Sequence, residues 1–90
     1  MNVFLREQAR QDLRDIESYL RPRSPQGFDS VMADIFSTLR MLDSQPRAGR
    51  SIGRGLWRTV SGRYGYTITY VIGAEDRIEV VDIYRYQNRT

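Results

Sequence analysis

The sequence predicts an α+β domain in the order βααβββ, a helical hairpin packed on a mainly antiparallel sheet. Three observations lead there. Apolar residues recur at helical spacing over residues 6–42, then alternate every second residue from 56 onward. Proline steps at Arg21-Pro22 and Gln45-Pro46 interrupt the helical pattern twice. Helices followed by a run of strands mark an α+β arrangement. Ninety residues make one domain, 1–90, with a single modest core.

Residues 2–5 read as a short strand through Val3, Phe4 and Leu5. Over residues 6–20, Ala9, Leu13, Ile16 and Leu20 fall on one helical face and Arg10, Asp12, Arg14, Asp15 and Glu17 on the other. Arg21-Pro22 is expected to end that helix. Ser24 then suits an N-cap and Pro25 the first helical position. Phe28, Val31, Met32, Ile35, Phe36, Leu39 and Leu42 form a wide apolar stripe, most simply read as core. The connection is so short that the two helices should run antiparallel. Residues 47–55, RAGRSIGRG, read as a glycine-rich cationic loop, matching neither a P-loop nor a dinucleotide fingerprint.

Three strands follow. Leu56, Arg58 and Val60 share one face of the first, Trp57 and Thr59 the other. Ser61-Gly62 forms a turn. The strand at 64–72 is expected to place Tyr64, Tyr66, Ile68, Tyr70 and Ile72 together. The last, 77–86, is expected to place Ile78, Val80, Asp82, Tyr84 and Tyr86 together, with Arg85 on the opposite face. A carboxylate inside that apolar strand needs a cation, so Arg58 or Arg63 is the expected partner of Asp82, and Arg58 could also pair with Glu79. Trp57, Tyr66, Tyr70 and Tyr84 read first as packing residues.

Composition narrows the chemistry. With no cysteine and no histidine, disulfides, thiolate metal sites and the commonest general base are excluded, and no metal or other cofactor is expected. No stretch has signal-peptide or membrane-span character, so no membrane partner is expected and the cytoplasm is the expected location. All fourteen basic residues are arginine, each an always-charged fork of donors. Six arginines face seven acids in residues 1–46, whereas eight face four in residues 47–90; no acid occurs from Ser44 to Ala74. This asymmetry suggests an acidic partner, nucleic acid or acidic polypeptide. The hairpin at 54–70 carries Arg54, Arg58 and Arg63 beside aromatic rings. With Arg85 and Tyr86 it is the expected working face, its guanidinium groups gathered on one side of the sheet.

Four stretches in this order, AR-x-DL-x-DI-x-x-YL at 9–20, QPRAGR at 45–50, LWRTVSGRYGYTITYVI at 56–72 and EVVDIYRYQNR at 79–89, resemble toxins of the ParE/RelE superfamily. The opening helix and the GR turn resemble the ParE branch more than the RelE branch. The resemblance implies a growth-inhibiting, plasmid-stabilising toxin of a type II toxin–antitoxin system. It would be held in a hetero-oligomer by a cognate antitoxin, ParD-like or other, through an acidic wrapping segment. ParE-branch toxins act on DNA gyrase; RelE-branch toxins cut messenger RNA in the ribosomal A site. A RelE-like activity would fall to Arg58, Arg63, Arg85 and Tyr86. A gyrase-directed toxin would use Arg54, Arg58, Arg63, Arg85 and Arg89 for target binding. Arginine stabilises phosphorane-like charge but is a poor base, because its pKa lies above about 12. The lysine or histidine that serves RelE-branch catalysis is missing, which favours gyrase. A ribosome-dependent ribonuclease and a non-toxic nucleic-acid-binding module remain alternatives.

Overall fold

The structure, a computed structural model, describes residues 2–85. The elements are β1 (Val3–Leu5), α1 (Glu7–Arg23), α2 (Pro25–Ser44), β2 (Arg50–Gly53), β3 (Leu56–Val60), β4 (Tyr66–Ile72) and β5 (Ile78–Arg85). Short 3-10 turns occupy Pro46–Ala48 and Ala74–Asp76. The five strands form one sheet in the order β1-β5-β4-β3-β2. β1 runs parallel to β5 and every other pair is antiparallel.

The helical hairpin covers one face of this sheet, as the α+β reading expects. Ile35, Leu39 and Leu42 of α2 are enclosed with Ile68, Tyr70, Ile78, Val80 and Ile83 of the sheet. From α1, Ala9 is buried, and Leu13, Ile16 and Leu20 pack against the rim of the core. Ser24 caps α2 by accepting a hydrogen bond from the Gly27 N–H at 3.0 Å. Phe36 leaves the expected stripe and stands at the surface.

Three expectations need correction. First, α1 does not stop at Arg21-Pro22. A proline in the last turn forfeits only one helical bond, and the end is secured otherwise. The Ser24 N–H reaches the Leu20 carbonyl at 2.7 Å, and the Arg23 guanidinium donates to the Tyr19 carbonyl at 2.7 Å.

Second, the cationic loop contains a strand. Arg50 and Ser51 pair with Arg58 and Trp57, and a register shift before Gly53 leads into the Gly53-Arg54-Gly55 turn. All three turn residues have positive φ, 95°, 57° and 76°, a conformation that suits the two glycines and leaves Arg54 strained.

Third, β5 does not keep a simple alternation. Thr69 lies opposite Asp82, but the next residue, Tyr70, lies opposite Val80, so Val81 is an extra residue in β5. Before this bulge, Ile78 and Val80 face the core; after it, Ile83 does. Asp82 is thereby turned to the open face, and a carboxylate is kept out of the hydrocarbon interior. The same shift carries Arg85 onto the helix-covered side, opposite Tyr66.

Candidate functional site

The expected gathering of guanidinium groups on one side of the sheet is not what the fold produces. Cross-strand partners share a face. Arg50, Arg58, Thr69 and Asp82 therefore form one row on the open face, across β2, β3, β4 and β5. Arg85 is on the other face, its guanidinium 5.6 Å from the Tyr66 ring centroid. Arg63 projects from the β3–β4 turn, 5.4 Å from the Tyr64 ring, and Arg54 from the β2–β3 turn at the opposite end of β3. Tyr86 and Arg89 lie outside the described residues.

The open-face row is built from the core outwards. Tyr70 is fully buried and stacks on Trp57, with ring centroids 6.3 Å apart. Its hydroxyl donates to the Pro46 carbonyl at 2.8 Å and accepts from the Gly49 N–H at 3.2 Å. Burial pushes this hydroxyl above the ordinary tyrosine value, against the opposing pull of the Gly49 N–H. Gly49 must be glycine here: a β-carbon would sit 2.5 Å from the Tyr70 hydroxyl and 2.7 Å from the Arg58 carbonyl oxygen. This contact ties the start of β2 to the core and sets Arg50 directly across from Arg58.

Arg58 does not make the ion pair expected of it. Glu79 is taken by Arg6 at 3.2 Å and Arg77 at 3.6 Å. Arg58 Nε and Asp82 Oδ1 are both enclosed without a hydrogen-bond partner among the described residues, although they belong to one row.

At the tip of the β3–β4 hairpin, Asp34 of α2 does what no sequence pattern announced. Its carboxylate accepts the Arg63 N–H at 3.1 Å and the Tyr64 N–H at 2.8 Å. Burial works to raise its pKa, but the Ser61 hydroxyl, these two N–H groups and the Arg63 charge together hold it below the usual 3.8. Ser61 is buried and in turn accepts the Tyr66 N–H at 2.9 Å.

A second feature lies on the helix side. α1 and the far end of β5 enclose a cleft of about 310 Å³, lined by Asp15, Ile16, Leu20, Tyr66, Ile83 and Arg85 among others. β1 pairs with β5 only as far as Val80. Beyond it the α1-facing edge of β5 has no strand neighbour among the described residues. Asp12 instead accepts the Ile83 N–H at 2.9 Å. The Nε of Arg85 is enclosed in this region without a hydrogen-bond partner among the described residues. Burial pushes the Tyr66 hydroxyl above its ordinary value, with the Arg85 charge acting against it.

Comparison with known proteins agrees with this architecture. No curated protein matches the sequence. A solved structure described as "Chromosomal ParDE TA system from P. aeruginosa" superposes with a TM-score of 0.78 at 20% identity. That match covers 94% of this chain and 95% of that one. The family described as "ParE toxin of type II toxin-antitoxin system, parDE" matches residues 3–88, nearly the whole sequence. The chain therefore belongs to the ParE toxin family of type II toxin–antitoxin systems.

Proposed function

We propose that this protein inhibits bacterial growth in the cytoplasm by binding DNA gyrase, without cutting messenger RNA itself, and that a cognate antitoxin neutralises it. One observation supports the non-nucleolytic reading above the others: Arg58 and Arg85 face opposite sides of the sheet. A ribonuclease needs its charge stabilisers and its proton-transfer groups around one phosphate. Among the described residues Asp82 is the only carboxylate in the Arg58 row, and one of its two oxygens is enclosed. The other arginines of the hairpin supply charge but accept no proton.

The α1–β5 cleft supports the antitoxin part of the proposal. Beside the Asp12 and Asp15 carboxylates it joins apolar walls, the Arg85 guanidinium and a strand edge with no strand neighbour among the described residues, which suits an extended segment carrying apolar side chains and an acid aimed at Arg85.

The test is a purified gyrase reaction beside a translating extract. The expected result is blocked supercoiling with accumulated cleaved plasmid, and intact mRNA. Asp82→Asn should leave growth arrest unchanged. Cuts in ribosome-bound mRNA that vanish in Asp82→Asn would instead establish the ribonuclease.

A further inference from the structure

The described arginines of the C-terminal half differ in how they are satisfied. Arg47 pairs with Asp76 at 3.3 Å and Arg77 with Glu79 at 3.6 Å. Arg63 and Arg85 lie over Tyr64 and Tyr66. Arg50, Arg54 and Arg58 have no such ion pair or ring contact among the described residues.

Two of these, Arg50 and Arg58, are direct cross-strand partners on the open face. Side chains so paired start roughly 5 Å apart, and like charges placed opposite one another destabilise a sheet. The fold nevertheless holds them there by the Tyr70–Gly49 contact, which leaves little freedom at the start of β2. They also line a shallow concavity with Gly49, Thr59 and Val60. Arg50 is exposed and Arg58 is half-buried with its Nε enclosed, so the fold sets two like charges side by side on a partly exposed face.

We propose that Arg50 and Arg58 together grip a backbone phosphate of nucleic acid, with Arg54 extending the contact along β3. The choice of phosphate over a protein carboxylate rests on donor geometry. One planar carboxylate is satisfied by one guanidinium fork. Two forks approaching from adjacent strands offer donors in different planes, which a tetrahedral phosphate can accept on separate oxygens. No acid occurs from Ser44 to Ala74, so β2, β3 and β4 add no negative charge beside the pair, and Asp82 of the same row stands two strands away from Arg58. This site stands apart from the α1–β5 cleft and does not depend on the identity of the toxin's target.

The test is fluorescence anisotropy with a labelled 20-base-pair DNA duplex over a range of salt concentrations. The wild-type slope of log K against log salt should be roughly −2 to −3, for two or three phosphates. Arg50→Thr and Arg58→Thr should each weaken binding several-fold and make the slope shallower by about one. Arg21→Ala, which removes a cation paired with Glu17 at 2.8 Å on α1, should change neither. Arg50→Thr should also leave thermal stability unchanged or raise it, because it removes a repulsion. Arg50 is exposed, so this variant keeps the test valid if Arg58→Thr fails to fold. Slopes unchanged in both variants would overturn the proposal. So would a drop in melting temperature for Arg50→Thr, which would make the pair structural. Competition by polyglutamate equal to that of DNA per charge would reassign the site to an acidic polypeptide.

Discussion

At the scale of single residues, two positions that carry no target-binding charge, Asp34 and Gly49, govern where the arginines stand. Asp34 holds the tip of the β3–β4 hairpin through two backbone N–H groups that would otherwise lose their partners. Removing a half-buried acceptor of this kind costs roughly 1–3 kcal/mol, so Asp34→Ala should lower unfolding free energy by about that amount at pH 7. The pH dependence follows from linkage. The folded pKa lies below the unfolded value near 3.8. The contribution is thus complete above that value and is lost as pH falls through the folded pKa, because the unfolded chain takes up the proton first. The gap between wild type and Asp34→Asn in urea melts should therefore narrow from pH 6 to pH 3. Gly49 acts by being small. Gly49→Ala forces a methyl against the Tyr70 hydroxyl and the Arg58 carbonyl, an overpacking expected to cost about 1–3 kcal/mol. Because the strain falls on β2, the variant should also weaken Arg50-dependent DNA binding.

At the scale of elements, what could be read from the sequence divides sharply by the kind of signal. The helical hairpin was legible because its cues are local. Ser24-Pro25 is followed by a 3.6-period stripe, and Ser24 does cap α2. Ser24→Ala should accordingly cost about 1 kcal/mol, measurable as a lower midpoint in thermal melts. The β3–β4 hairpin was legible for the same reason, since alternation and a Ser-Gly turn are neighbours in sequence. β2 was not, because its four residues contain two glycines or serines and two others, and only pairing with β3 makes them a strand. The bulge at Val81 was hidden for a related reason. Strict alternation would have buried Asp82, and the sequence offers no local mark of the extra residue that avoids this. That single insertion also moved Arg85 to the helix side. The residue types of the candidate site were thus visible in the sequence, but their division between two faces was not.

At the scale of the whole molecule, that division means the two proposed surfaces should work independently. The Arg50–Arg58 pair occupies the open face near the β2 edge, whereas Arg85 and the apolar cleft occupy the helix side near β5. The sheet itself separates them, so a ligand on one surface does not cover the other. Interaction energies between sites without shared contacts are usually small, within about 0.5 kcal/mol. Crossed variants check this. Arg85→Glu replaces the cleft's one cation among the described residues by an acid and should release the antitoxin, read as loss of co-purification when both proteins are expressed together. The same variant should leave the slope of DNA binding against salt intact. Arg50→Glu should do the opposite, retaining the antitoxin while weakening DNA binding. If Arg85→Glu and Arg50→Glu impair both partners equally, the separation of surfaces is wrong, and the toxin presents its arginines to a single partner wrapped around the edge of the sheet.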